Sequence, residues 1–150
     1  MKVSFEQTNT IPDNDVEVVV RAAALSPDVT QLLNQLSQLG SHPSVLPITV
    51  DDQVVILATA DIVAIEVTGE HITLHTVDKI YQVNGQLKTM LARLQNPVFV
   101  RVGRSVALNI DFLTALEAEF SGNMTAKMAN GLKLTVSRKY LPELKHSIGL

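Results

Sequence analysis

Residues 130–145 read NGLKLTVSRKYLPELK. Asn-Gly is the strongest short hairpin signal, because a tight hairpin turn needs positive φ at its central residues. The run 132–136 that follows reads as a strand, and after Ser137 the pattern turns helical to the end of the chain. Working backwards, Ser121-Gly122-Asn123 is a second hairpin turn. It separates strands over 113–120 and 124–128, and a longer run, 99–108, reads as one further strand.

The same pattern holds upstream. Strands are expected over 45–50, 54–58, 62–67, 71–76 and 79–83, with turns at Asp51-Asp52, Thr68-Gly69-Glu70 and Val77-Asp78. One helix interrupts them at about 86–95, with Leu87, Met90, Leu91 and Leu94 on one face and Pro97 blocking continuation. Many short strands at close spacing predict a mainly β domain with short helices over residues 45–150.

Residues 1–44 read differently, as a small β-β-α extension. Two strands are expected at 2–7 and 16–21, joined by a turn at Ile11-Pro12-Asp13-Asn14-Asp15. A helix then starts at Ser26-Pro27-Asp28, a favourable N-cap, first position and dipole partner. Val29, Leu32, Leu33, Leu36 and Leu39 make one apolar stripe, and Gly40 is the expected stop. Ser41-His42-Pro43-Ser44 reads as a connector. Forty residues seldom hold a core alone, so the stripe needs a surface. It either packs on the rest of the chain or forms a dimer contact through Leu32, Leu36 and Leu39.

Composition narrows the function. The 150 residues include no cysteine, which removes disulfides, thiolate nucleophiles and Cys-based zinc sites. No apolar run approaches a membrane span, and the N-terminus is not a signal peptide. A cytoplasmic protein is expected. The net charge of −3 is unevenly spread. Residues 97–150 carry seven basic and four acidic side chains, whereas 1–48 carry two and five, and 49–96 three and six. Phosphate binding depends on local basic surface, so the C-terminal third is where a nucleic-acid partner would bind. The motifs of phosphate loops, nucleophile elbows and metalloenzymes are missing. His71 and His75 share a strand face, but no carboxylate pair completes a metal site. Neither enzymatic activity nor a cofactor, metal or small-molecule substrate is expected.

Two stretches carry a family resemblance: 98–109, VFVRVGRSVALN, and 130–145, quoted above. Together with 61–76, DIVAIEVTGEHITLHT, they are similar to the LytTR DNA-binding domain, the output module of LytR/AgrA-type bacterial regulators. The matching features are an apolar-Arg-x-x-x-Ser-x-x-x-Asn segment, an Asn-Gly hairpin and Val-Ser-Arg-x-Tyr before the last helix. The resemblance implies an elongated multi-sheet β domain whose loops enter successive major grooves of double-stranded DNA. It implies base-facing roles for His71, Arg104 and Arg138, and phosphate contacts for Ser105 and Lys139. Arginine suits such a role because it can pair with guanine O6 and N7 in bidentate fashion. Asn109 fixes a strand end in this reading. Gly103 departs from the His or Ser common in the family, which removes a contact and permits unusual loop geometry.

The resemblance further implies a stand-alone transcriptional regulator that self-associates as a homodimer and is restrained by a small membrane protein. A receiver domain needs about 100 residues or more, and the forty upstream cannot hold one. The other reading is a non-catalytic β-rich module that binds protein without DNA specificity. RNA binding by stacking is disfavoured, because aromatics are only 4% and Phe99, Phe112 and Phe120 read as core.

Overall fold

The computed structural model describes residues 1–13, 15–39 and 43–150. The chain divides into two units, Met1–Gly40 and Ser41–Leu150.

Among the described residues of the first unit only the helix forms. It is α1, Pro27–Leu39, and the Ser26 hydroxyl caps it by accepting from the Val29 amide at 3.3 Å. Val29, Leu32 and Leu36 are half-buried, while Leu33 and Leu39 are exposed. The strands expected at 2–7 and 16–21 do not form, and Val3, Phe5, Val16, Val18 and Val19 are exposed. The β-β-α expectation is corrected to an irregular segment followed by a helix. β propensity expresses packing against neighbours, and a two-stranded hairpin with no surface beneath it is marginal. The Asp15 amide still donates to the Pro12 carbonyl at 2.9 Å. Asn14 of the expected turn, the stop at Gly40, and Ser41-His42 of the expected connector lie outside the described residues.

The described residues of the second unit form three antiparallel sheets. β1 (Val45–Val50) and β2 (Gln53–Ala58) form a hairpin. Its turn is Asp51-Asp52, both at positive φ (49° and 63°), as a type I′ hairpin turn requires. The central sheet runs in the order β5-β4-β3-β7-β6. Its strands are β3 (Ile62–Thr68), β4 (His71–Thr76), β5 (Ile80–Asn84), β6 (Phe99–Gly103) and β7 (Val106–Asn109). The third sheet is β10-β9-β8, from β8 (Leu113–Ala118), β9 (Met124–Met128) and β10 (Lys133–Val136). Helix α2 (Leu87–Leu94) follows β5, and α3 (Leu141–Ser147) follows β10.

Strand β3 lies at the centre of the fold, and Ile62 to Ile65 are fully buried in succession. A bulge at this point sets two neighbours onto one face: Ile62 pairs with Thr76 and Ala64 with His75, leaving Val63 extra. Ile62 and Ile65 therefore join the core shared with β1, β2 and α2, beside Leu46, Leu57, Met90 and Leu94. Val63 and Ala64 join the core under the third sheet and α3, beside Val102, Leu108, Val136 and Leu144. A strand covered on both faces loses the apolar-polar alternation, which is why 62–65 reads as an unbroken apolar run.

Two further expectations are corrected. Residues 99–108 are not one strand but a hairpin, β6 and β7, turning at Arg104-Ser105. The bulge that skips Val102 between Arg101↔Ala107 and Gly103↔Val106 lets the chain reverse without an Asn-Gly pair. Phe120 is not core. It stands fully exposed (111%) in the β8–β9 connection, whereas Phe99 is buried and Phe112 half-buried.

Candidate nucleic-acid interface

Strand directions bring several loops to one end of the central sheet. β3 runs outward to Thr68, which pairs with His71 at the start of β4. β7 is antiparallel to β3 and begins opposite its outer end, with Val106 paired to Glu66. The β6–β7 turn therefore lies beside the β3–β4 turn, and the Val67 amide donates to the Ser105 carbonyl at 2.8 Å. On the other side of that turn, the Ser137 amide donates to the Val102 carbonyl at 2.9 Å. This brings the end of β10 to the end of β6. β9 begins opposite β10's end, with Met124 paired to Val136, so the β8–β9 turn belongs to the same group.

The expected site residues fall on these loops. His71 is exposed, and its Nδ1 lies 3.1 Å from Asn84 Oδ1, which fixes the ring on the neighbouring strand. Arg104 and Ser105 form the β6–β7 turn, and both are exposed. Arg138 and Lys139 are exposed between β10 and α3. The order across the end is β3–β4 turn, β6–β7 turn, then the β10–α3 junction. Asn109 sits at the inner end of β7, 1% exposed. Its Nδ2 donates to the Ile62 carbonyl and its Oδ1 accepts from the Asp111 amide, both at 2.9 Å. It joins two strands and faces no solvent.

Among the supporting residues, Arg101 reads from the sequence as an ion-pair or phosphate residue alternating with buried Val100 and Val102, and the structure turns it onto its own loop. Arg101 is half-buried; its Nε donates to the Gly103 carbonyl at 3.1 Å and its Nη2 to the Arg104 carbonyl. Its guanidinium carbon is 5.9 Å from the Tyr140 ring centroid, and the Lys139 ammonium is 5.6 Å from the same ring. Tyr140 thus gives cation-π support to both, at distances where that attraction is felt. Arg138 is held from its own backbone, with its amide donating to Asn123 Oδ1 at 3.2 Å. Only the Arg-x-x-Arg and Arg-Lys-Tyr spacings hinted at these contacts, and spacing alone does not tell a clasp from a solvated charge.

The end carries Arg104, Arg138 and Lys139 as exposed fixed cations, with His71 beside them. Glu70 is the exposed acid of the β3–β4 turn. Glu119 accepts from the Thr125 hydroxyl at 2.5 Å and from the Ser121 hydroxyl at 3.3 Å. Away from the turns, Lys127 lies 2.6 Å from Glu117 and holds its carboxyl below the usual carboxylate range. On β4, His75 is buried and its Nε2 meets Glu66 Oε2 at 2.5 Å. Among the described residues no group of three or more acidic, His or Cys side chains could hold a metal ion. No helix among them is long and apolar enough to cross a membrane.

Comparison with known proteins agrees with this architecture. The family model for the LytTr DNA-binding domain matches residues 52–149. A sensory transduction protein LytR of Staphylococcus haemolyticus is 29% identical over 113 residues, covering 75% of this chain and 44% of the relative. A sensory transduction protein LytT of Bacillus subtilis is 32% identical over 111 residues, covering 74% and 45%. The chain therefore spans less than half the length of these relatives. Among solved structures, a LytTr DNA-binding domain of a Bacillus cereus methyl-accepting/DNA response regulator superposes with a TM-score of 0.64 at 18% identity. That match covers 72% of this chain and 99% of the other, and supports the fold. The three-sheet unit with its loops gathered at one end is a LytTR domain, and the chain belongs to the LytTR DNA-binding domain family.

Proposed function

We propose that this chain is a non-catalytic, sequence-specific regulator of transcription in the bacterial cytoplasm, which binds double-stranded DNA through the end of the sheet that carries His71, Arg104, Ser105, Arg138 and Lys139. The observation that carries the reading is the adjacency of three exposed turns, linked by Val67–Ser105 and Ser137–Val102 backbone hydrogen bonds, in a member of a DNA-binding family. A rigid row of turns suits a duplex. It presents side chains to base edges in the major groove, the task a recognition helix performs elsewhere. His71, Arg104 and Arg138 reach base edges in this reading, and Ser105 and Lys139 hold phosphates.

The active species is a homodimer. Helix α1 supports that assignment, because Leu32 and Leu36 are only half-buried and Leu39 is 70% exposed. A small membrane protein that restrains the regulator is the family-level partner.

The test is binding of the Arg104→Ala, Arg138→Ala double variant to duplexes that the wild-type chain enriches from a random pool. Each base-reading arginine contributes about 1–3 kcal/mol and selectivity at one position. Lys139→Ala instead weakens all sequences alike and flattens the log-log salt dependence by about one. Unchanged affinity in a folded double variant contradicts the site. Wild-type protein that enriches no sequence contradicts the function.

A further inference from the structure

Phe120 is the one exposed phenylalanine or tyrosine among the described residues of the Ser41–Leu150 unit. It does not hang on a loose loop. The Glu119 amide donates to the Asn123 carbonyl at 3.0 Å, and the Gly122 amide donates to the Glu119 carbonyl at 3.2 Å. The Glu119 carboxylate is held by Thr125 and Ser121, as described above. The turn is also fastened to the cationic row. Asn123 accepts from the Arg138 amide, and the space above Gly122 is filled by Arg138, whose Cδ is 3.0 Å from where a β-carbon would sit. The fold thus holds a phenyl ring in water on the turn over which Arg138 packs, and forfeits the hydrophobic gain that burying it would bring.

We propose that Phe120 makes an apolar contact with the bound duplex, adding to affinity beside Arg138; the inference rests on the DNA-binding reading above. A duplex offers a phenyl ring two kinds of apolar atom, thymine C5-methyl groups in the major groove and deoxyribose carbons along its rim. Position favours DNA over a protein partner. The turn is continuous with Arg138 and Lys139, so a polyanion drawn to those cations meets the ring at the same time. The Glu119 carboxylate next to the ring is engaged by the Thr125 and Ser121 hydroxyls.

The experiment compares Phe120→Ala and Phe120→Leu with wild type on the duplex enriched by the wild-type chain, across a salt series. Full exposure of the ring makes both variants fold, which circular dichroism checks. Phe120→Ala is expected to weaken binding about threefold to tenfold, with Phe120→Leu keeping most of the affinity. The salt slope stays unchanged, because an apolar contact releases no counterions. Replacing thymines by deoxyuridine one at a time separates the two sources. A position whose methyl matters to wild type and not to Phe120→Ala identifies the thymine contact. A weakened variant with no such position identifies the deoxyribose contact. Unchanged affinity in Phe120→Ala overturns the proposal and leaves the arginine site standing. A variant that keeps its DNA affinity but loses self-association in sedimentation overturns it in favour of a second copy of the chain. If wild type enriches no duplex, the DNA reading fails and this inference fails with it.

Discussion

The Arg101 guanidinium clasps the turn that carries Arg104, donating to the carbonyl oxygens of both Gly103 and Arg104. One arginine thereby fixes the aim of another. Arg101→Lys keeps the charge but cannot span two carbonyls from a planar fork. It is expected to cost about 1–2 kcal/mol of DNA affinity, seen as lost selectivity at the base position that Arg104→Ala also relaxes. If Arg101 were a phosphate contact instead, lysine would restore binding and only the salt slope would move.

Gly122 and Gly131 form a matched pair for a second test. Both have strongly positive φ, 83° and 86°, so alanine strains each turn to a similar degree, by about 1 kcal/mol. They differ in surroundings: a β-carbon at Gly122 meets Arg138 at 3.0 Å, whereas at Gly131 nothing lies within 4 Å. Both variants are expected to lower the urea midpoint. Only Gly122→Ala is expected to weaken DNA binding in an anisotropy titration, because only it displaces Arg138.

Asn109 tests the scaffold apart from the interface. Asn109→Ala leaves the Ile62 carbonyl and the Asp111 amide without their side-chain partner, and the buried one, the Ile62 carbonyl, sets a cost of about 1–3 kcal/mol. Chemical denaturation should show the loss. DNA affinity measured where the variant is still folded should match wild type.

The apolar stripe of α1 gives a prediction about assembly. Leu32→Glu with Leu36→Glu is expected to convert the proposed homodimer to monomer in sedimentation equilibrium while the thermal transition of the β domain stays within about 2 °C of wild type, as for surface substitutions. A dimer that survives this pair assigns the contact elsewhere.

Much of the β domain was legible because its signals are local. Asp51-Asp52 and Asn130-Gly131 mark their turns by residue type, and β1, β4 and β9 have the bounds that the sequence suggests. The hairpin at Arg104-Ser105 was hidden, since a bulge and an arginine clasp stand where an Asn-Gly pair would be read. The N-terminal valines misled for the opposite reason: strong β propensity at 16–21 finds no strand to pair with. Phe120 misled because apolar character speaks for burial only where a neighbour exists, and the β8–β9 turn supplies none. The cationic row was legible as residues but not as a row, because adjacency across β3, β7, β6 and β10 is set by sheet order.

The absence of cysteine allows the most direct test of the account, which is that three turns meet DNA side by side. Single cysteines introduced as His71→Cys, Arg104→Cys and Arg138→Cys, and as Asp78→Cys and Asn130→Cys in the turns at the other end of these strands, can each carry a tethered iron chelate that cleaves nearby DNA. Strand scission is expected from the first three, with the position 104 cuts lying between those from 71 and 138, and none from the last two. Cleavage from positions 78 or 130, or cuts from 71 and 138 that coincide on one side of those from 104, would contradict it.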